Sequence, residues 1–186
     1  MRRFLKKYYA ITDRKQFEYD FEIQIKRYLH AGIRMIQLRE KDVSPRQLFN
    51  LATKAKNILK GYDAILIIND RVDVAVMSGA AGVHIPSKGL PVVEIKRKFP
   101  NLIVGKSCHS INDALQAEEE GADYITFSPI FETPGKGKPQ GLDKLKKVVE
   151  TVKIPVYALG GISESNVQDV LNTGVYGIAG IRLFIK

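Results

Sequence analysis

Brief apolar runs alternate with longer amphipathic stretches along the whole chain. The runs fall at residues 8–11, 33–38, 64–67, 82–85, 103–105, 124–127, 156–159 and 177–181. They are rich in Ile, Val, Tyr and Phe and are mostly bounded by Gly, Asp, Pro or Asn, as short buried strands are. Between them the apolar positions recur at helical spacing. Phe17, Phe21, Ile25, Tyr28 and Leu29 fall near one face of a predicted helix over 17–30. Leu48, Leu51, Ala52, Ala55, Ile58 and Leu59 do the same over 45–59. Further helices are predicted over 111–120, 142–152 and 163–172, the last opening on a capping-box-like Ser163-Glu164-Ser165-Asn166. Ala31-Gly32, Ser78-Gly79-Ala80, Glu120-Gly121-Ala122 and Thr173-Gly174-Val175 supply the stops.

Strict β–α alternation predicts a parallel sheet, because each return to the same end of the sheet needs a helical crossover. Eight strands predict closure into an α/β fold of the (β/α)8 TIM-barrel type, a single domain over 1–186. At about 23 residues per unit the barrel is compact against the usual ~250 residues. Only Arg182-Leu183-Phe184-Ile185-Lys186 follow the last strand, so the eighth helix is truncated or missing. The outer face left open there needs cover from the N-terminal segment or from a second subunit, which leaves room for a homodimer.

Composition narrows the function classes. Of 186 residues, 45% are hydrophobic and 26% charged, an ordinary globular balance with enough length to bury a sizeable core. No apolar run approaches the roughly 20 residues that span a bilayer, so no membrane is expected. The basic N-terminus lacks the apolar stretch and cleavage site of a signal peptide. A single cysteine, Cys108, excludes an internal disulfide and fits a reducing, cytoplasmic location. The net charge is +9, but lysines and arginines are dispersed with no aromatic-basic cluster, so nucleic acid is not the expected partner. Anionic small molecules drawn into a basic cleft account for the charge as well as a solvated lysine-rich surface does.

In such barrels the chemistry sits where strands hand over to the following loops. Arg39 and Lys41 alternate in direction with Glu40 after strand two; a planar fork and a compact charge suit a diphosphate, while a solvated Arg-Glu-Lys cluster is the plainer reading. Asn69-Asp70 after strand three offers an amide beside a Mg2+ carboxylate, or else Asp70 caps the helix that begins near Arg71. Gly160-Gly161, placed before a helix N-terminus, and Gly180 can expose backbone N–H groups to phosphate, with Arg182 as a charged donor or as cover for apolar surface. The loop 133–138, Thr133-Pro134-Gly135-Lys136-Gly137-Lys138, suits a mobile lid over an anion, or is simply a basic loop, and it does not match a Walker A motif. His84 and His109 are either acid/base groups or structural hydrogen bonders at strand ends, His30 ends a helix, and Cys108 is a packing residue. Zinc-ligand spacing, a catalytic serine signature and a dinucleotide glycine fingerprint are all missing.

The set Gln37-Leu38-Arg39-Glu40-Lys41, Ile68-Asn69-Asp70-Arg71-Val72-Asp73, Gly82-Val83-His84, Ser107-Cys108-His109, Pro129-Ile130-Phe131-Glu132-Thr133-Pro134 and Gly160-Gly161-Ile162 resembles the thiamine-phosphate synthase/TenI family, in family order over residues 8–184. The resemblance implies a transferase that joins hydroxymethylpyrimidine diphosphate to thiazole phosphate, releasing pyrophosphate. It implies that Gln37, Arg39, Lys41, Asn69, Ser107 and Lys136 bind the pyrimidine diphosphate, with Arg39, Lys41, Ser107 and Lys136 as the catalytic group. It implies Asp70 as a Mg2+ ligand, and Thr133, Gly135, Gly161, Ile181 and Arg182 around the thiazole phosphate. Leu38, Glu40 and Pro134 enter the substrate-binding set with the segments that carry them. Phosphorylated pyrimidine and thiazole molecules are therefore the implied partners.

This chain departs from the family pattern in places. Where synthases carry a second Mg2+-binding Asp shortly after the strand-four His, the segment Pro86-Ser87-Lys88-Gly89-Leu90 has Gly89, and it is more similar to the TenI thiazole tautomerase branch. That branch places a catalytic His where this chain has Pro129, within a synthase-like Ser128-Pro129-Ile130-Phe131. Arg182 stands where synthases commonly have Ser, and Gly135 where Thr is usual. A tautomerase using His84 or His109, and a non-catalytic thiamin-phosphate binder, are the alternatives to the synthase.

Overall fold

The computed structural model describes residues 5–184. Eight strands close into a barrel in chain order, every neighbouring pair parallel, and β8 pairs back onto β1. They are β1 (Tyr8–Ile11), β2 (Met35–Leu38), β3 (Ile65–Asn69), β4 (Gly82–Ile85), β5 (Ile103–Cys108), β6 (Tyr124–Phe127), β7 (Val156–Ala158) and β8 (Gly177–Gly180). The helices are α1 (Phe21–His30), α2 (Pro45–Leu59), α3 (Val72–Ser78), α4 (Val92–Lys98), α5 (Ile111–Glu119), α6 (Gly141–Thr151) and α7 (Val167–Asn172).

Helix α2 shows why these segments fold as they do. Ser44 accepts from the Gln47 N–H while the Gln47 side chain accepts from the Ser44 N–H, and Pro45 presets the first turn. Leu48, Ala52, Ala55 and Leu59 then form its buried stripe. Helix α5 starts on the same device, with Ser110 and Asp113. Two starts differ from the periodicity. Helix α1 begins at Phe21 rather than Phe17, because Arg14–Gln16 closes a 3-10 turn and leaves Phe17 extended, its ring edge-on to Tyr28 at 6.3 Å. Helix α7 begins at Val167 rather than Ser163. Asn166 does reach back to the Ser163 N–H, but the Ser163 hydroxyl is engaged with Ser165, so only half a capping box forms.

The barrel interior is packed, not hollow. Tyr9, Tyr124 and Tyr157 meet edge to face at centroid distances of 5.7, 5.5 and 5.5 Å, among Ile11, Met35, Ile67, Ile103 and Ala179. Glycine makes the room on the neighbouring strand: a Cβ on Gly105, paired with Tyr124 in register, would lie 2.1 Å from Tyr124 Cζ.

Among the described residues, the N-terminal segment does not cover the outer face of β8. Within the described residues, Leu5 joins the interior core, the Tyr157 hydroxyl donates to the Lys6 carbonyl and the Tyr176 hydroxyl to the Leu5 carbonyl. This segment therefore plugs the bottom of the barrel; residues 1–4 and 185–186 lie outside the described part. Beyond β8, a 3-10 turn over Arg182–Phe184 packs Leu183 and Phe184 against the outer core, with Phe184 edge-on to Tyr8.

Candidate active site

With the bottom plugged, the open end is the C-terminal rim, and a cavity of about 700 Å³ occupies it. Strand register decides what it contains. On β2 and its extension the period of two turns Gln37, Arg39 and Lys41 into the cavity. It turns Leu38 outward into the barrel–helix core and Glu40 toward Thr12 and Arg14, just past the end of β1. Strands β3 and β5 run further than their apolar cores indicate, so Asn69 and Ser107 are strand residues that line the cavity. The β6–α6 loop brings Pro129, Thr133, Pro134 and Lys136, and the ends of β7 and β8 bring Gly160, Gly161, Ile181 and Arg182.

Most of the implied site residues thus converge from six strands on one hollow. Four do not line it. Leu38 is fully buried on the opposite face of β2. Glu40 is also buried, and its carboxylate accepts from the Thr12 hydroxyl at 2.6 Å and from the Arg14 N–H and guanidinium at 3.2 Å. It is a buttress: Thr12 in turn accepts from the Arg39 N–H at 3.0 Å, which ties the Arg39 backbone to β1. Gly135 sits at the exposed tip of the loop with φ +71° and open space around it. Asp70 lies at the rim, exposed, in the left-handed conformation at φ +63°.

That conformation settles the capping question for Asp70. Helix α3 has Arg71 as its N-cap, no side chain caps it, and the Arg71 guanidinium pairs with Asp73. Asp70 instead donates its own N–H to the His84 carbonyl at 2.9 Å, and its carboxylate is close enough to Lys41 to favour the ammonium form.

Arg39, Lys41 and Lys136 share the cavity, and their charges act on one another. The Arg39 guanidinium above all, then partial burial, then Lys136 push the Lys41 ammonium below its ordinary pKa. Among the described residues none of the three forms an ion pair with a carboxylate. Mutually repelling cations around a shared hollow are a binding site for a multiply charged anion.

At the other end of the cavity Gly160 and Gly161 turn with φ +99° and +68°. A Cβ would lie 2.8 Å from Pro129 Cα at the first and 2.7 Å from the Glu132 carbonyl at the second, so only glycine lets β7 approach the β6 loop this closely. The helix dipole expected behind them is absent, because α7 starts six residues later. What Gly160 and Gly161 offer is backbone in a tight turn, with Arg182 at the end of the neighbouring strand β8.

The two histidines differ. His84 is buried, with Nε2 2.9 Å from the Ser107 hydroxyl and Nδ1 3.3 Å from the Tyr124 hydroxyl; burial first, then Lys106 and Arg39, lower its pKa to about 3. It is neutral at neutral pH and both nitrogens are occupied. His109 donates Nδ1–H to the Ser128 carbonyl at 2.7 Å, and among the described residues its Nε2 has no protein partner at the cavity wall. Cys108 is buried, and burial pushes its thiol up to about 12, as befits a packing residue.

Known proteins share this barrel and its sequence. The family model described as thiamine monophosphate synthase matches residues 8–184. The chain belongs to the thiamine monophosphate synthase family. A relative from Aquifex aeolicus is 47% identical over 184 residues, 98% of this chain and 99% of its own length. The thiamine-phosphate synthase of Caldanaerobacter subterraneus is 42% identical over 93% of this chain and 83% of its own. Among solved structures, the thiamine phosphate pyrophosphorylase of Pyrococcus furiosus superposes with a TM-score of 0.89 at 39% identity, covering 97% of this chain and 88% of that one.

Family motifs pointed to the Thr133–Lys136 segment but not to the side chains that complete the wall. Ile11, Pro86, Ser87, Leu159, Ser163 and Glu164 also line the cavity of this thiamine monophosphate synthase family member. Ser163 and Glu164 had a signal that was available: they directly follow the Gly160–Gly161 turn, so they must flank whatever it faces. Ile11 and Leu159 had none, since only barrel closure turns their strand ends toward the same hollow.

Proposed function

We propose that the chain is a thiamine-phosphate synthase-like transferase that joins hydroxymethylpyrimidine diphosphate to thiazole phosphate. The observation that carries this reading is the trio Arg39, Lys41 and Lys136, unpaired and facing one cavity. In the reaction the C–O bond between the pyrimidine methylene and the diphosphate breaks, and both electrons leave with pyrophosphate. The thiazole nitrogen lone pair then forms the new C–N bond, with no net proton transfer. The protein must neutralise charge growing on the departing oxygen and hold two reactants in line. Arg39 presents a planar fork to the diphosphate, and Lys41 and Lys136 present compact charges. Gln37, Asn69 and Ser107 supply polar contacts for the ring between the cationic end and the barrel floor. The Gly160–Gly161 turn with Arg182 and Ile181 takes the thiazole phosphate, and the loop 133–138 closes over the pair.

Mg2+ belongs to this reading with a reduced protein donor set. Among the described residues there is no group of three or more His, Cys, Asp or Glu able to hold a metal. A Mg2+ ion bound mainly by phosphate oxygens and water needs only one or two carboxylates, so Asp70 at the rim beside Lys41 fits. When bound, the ion would supply further neutralisation of the diphosphate.

Of the two histidines open to the tautomerase alternative, His109 remains the candidate, because His84 has both nitrogens engaged and Pro129 carries no proton. The described residues include no helix long and apolar enough to cross a membrane. The deciding assay incubates purified protein with both phosphorylated precursors and Mg2+ and measures thiamin phosphate. Product formation well above a protein-free control is expected; none above it refutes the transferase.

A further inference from the structure

Beneath the cavity, five buried or half-buried side chains form one unbroken hydrogen-bonded arc between two points of its wall. The Gln37 amide Nε2 lies 2.7 Å from the Tyr9 hydroxyl, which lies 2.8 Å from the Tyr124 hydroxyl. Tyr124 lies 3.3 Å from His84 Nδ1, and His84 Nε2 lies 2.9 Å from the Ser107 hydroxyl. Both ends, Gln37 and Ser107, line the cavity. Tyr9 and Tyr124 are wholly buried, so no solvent can repair a broken link.

The donor inventory orients the chain. An amide nitrogen can only donate, so Gln37 donates to Tyr9. Tyr9 then spends its single proton on Tyr124, and Tyr124 spends its own on His84 Nδ1. A neutral imidazole that accepts at Nδ1 carries its proton on Nε2, which donates to Ser107. The Ser107 proton is then left for the cavity, and so is the Gln37 Oε1 lone pair. Turning the Gln37 amide over would reverse all four bonds together; any mixture either sets two protons head to head or strands a buried hydroxyl proton or ring nitrogen without a partner. The Thr126 hydroxyl, 3.4 Å from His84 Nε2, stands beside the same nitrogen as Ser107.

We propose that this relay fixes the hydrogen-bonding polarity of the cavity floor, so that Gln37 offers an acceptor and Ser107 a donor to the ring bound above it. Tyr9 and Tyr124, which do not line the cavity, are positioning residues, and so is His84, which lines the floor but spends both ring nitrogens inside the relay. The code matches an aminopyrimidine edge, whose exocyclic N–H donates and whose ring nitrogen accepts. It opposes the 4-oxo counterpart, in which both roles are exchanged. This specificity rests on the pyrimidine reading above; the polarity of the relay does not.

The substrate-free test is a long-range ¹H–¹⁵N NMR spectrum of the wild-type protein at neutral pH. The chain has three histidines, assigned through His30→Gln and His109→Gln variants. The expected result is His84 protonated at Nε2 and bare at Nδ1, and His109 the reverse because its Nδ1 faces a carbonyl. A proton on His84 Nδ1 overturns the relay. The second test measures turnover of the 4-amino and 4-oxo pyrimidine diphosphates by wild type, Tyr9→Phe, Tyr124→Phe and the double variant. Wild type should prefer the amino ring by about 100-fold or more, since mismatched polar groups are rejected strongly. Each single variant should lose at least about tenfold of that preference. The double variant should lose no more, because one cut already breaks the arc. An unchanged preference in variants with wild-type melting temperatures overturns the proposal. If wild type turns over neither diphosphate, the transferase reading fails, and the His84 tautomer alone decides the relay.

Discussion

Arg39 and Glu40 are adjacent in sequence, yet the fold gives them opposite duties, and substitutions should separate these cleanly. The Glu40 carboxylate is buried and takes three donors: the Thr12 hydroxyl, the Arg14 N–H and the Arg14 guanidinium. Thr12 is itself wholly buried. Glu40→Ala strands a hydroxyl proton and a backbone N–H in a place water does not reach. Breaking one side of such a buried charged arrangement costs about 3 kcal/mol. For a chain of this length that lowers the melting temperature by roughly 6 to 12 °C. Arg39 contrasts at every point. Its side chain has no protein partner among the described residues, and it repels Lys41. Arg39→Ala should therefore change stability by less than about 0.5 kcal/mol. Its cost falls on the reaction, about 100-fold or more in kcat/KM, the usual loss when one preorganised donor to a developing anion is removed. Glu40→Gln retains an acceptor for Thr12 and should keep most turnover at 25 °C. The assays are thermal melts beside steady-state turnover for all three variants. Arg39→Ala melting as low as Glu40→Ala, or Glu40→Gln losing turnover while melting like wild type, would refute the division of labour.

Three further outcomes follow from the same geometry. His84 has its pKa lowered from 6.5 to about 3 in the folded protein, so below pH 6.5 the unfolded chain takes up a proton that the folded one refuses. Stability should then fall by up to about 1.4 kcal/mol per pH unit as pH drops from 6.5 toward 3, and urea midpoints should show His84→Asn with a shallower dependence. Gly105→Ala places a Cβ 2.1 Å from Tyr124 Cζ, in a ring held by Tyr9 and Tyr157, and should cost about 3 kcal/mol, whereas Gly137→Ala, with open space around it, should melt like wild type. Asp70→Asn keeps a residue that tolerates the left-handed backbone, so the melting temperature should hold while the Mg2+ concentration for half-maximal turnover rises at least about tenfold; an unchanged Mg2+ curve removes Asp70 from the metal site.

How much of this was legible beforehand depended on the range of the signal. Strands announced themselves because each is a short Ile/Val/Tyr run between breakers, and α2 because its stripe, its Pro45 and its Ser44 all agree. Helices α3 and α4 gave no periodicity, since seven residues with two buried positions each cannot display one. In the site, the cationic trio could be read because Arg39 and Lys41 sit two apart on a strand extension. The same alternation already excluded Leu38 and Glu40 from the cavity, and taking the whole segment as substrate contacts overrode it. The capping alternative for Asp70 fails for a different reason: capping propensity is local, while its left-handed φ goes with pairing of its N–H to the β4 carbonyl of His84. The relay lay beyond any local rule. Tyr9 and Tyr124 are 115 residues apart, and they meet only because closure puts β1 and β6 across one interior at matching height. Its single trace in the sequence is Gly105, a glycine inside a strand, whose missing side chain is the volume that the Tyr124 ring occupies. A glycine in a barrel strand therefore points to a large ring opposite it, and a polar ring sent into that space needs a hydrogen-bond partner already there.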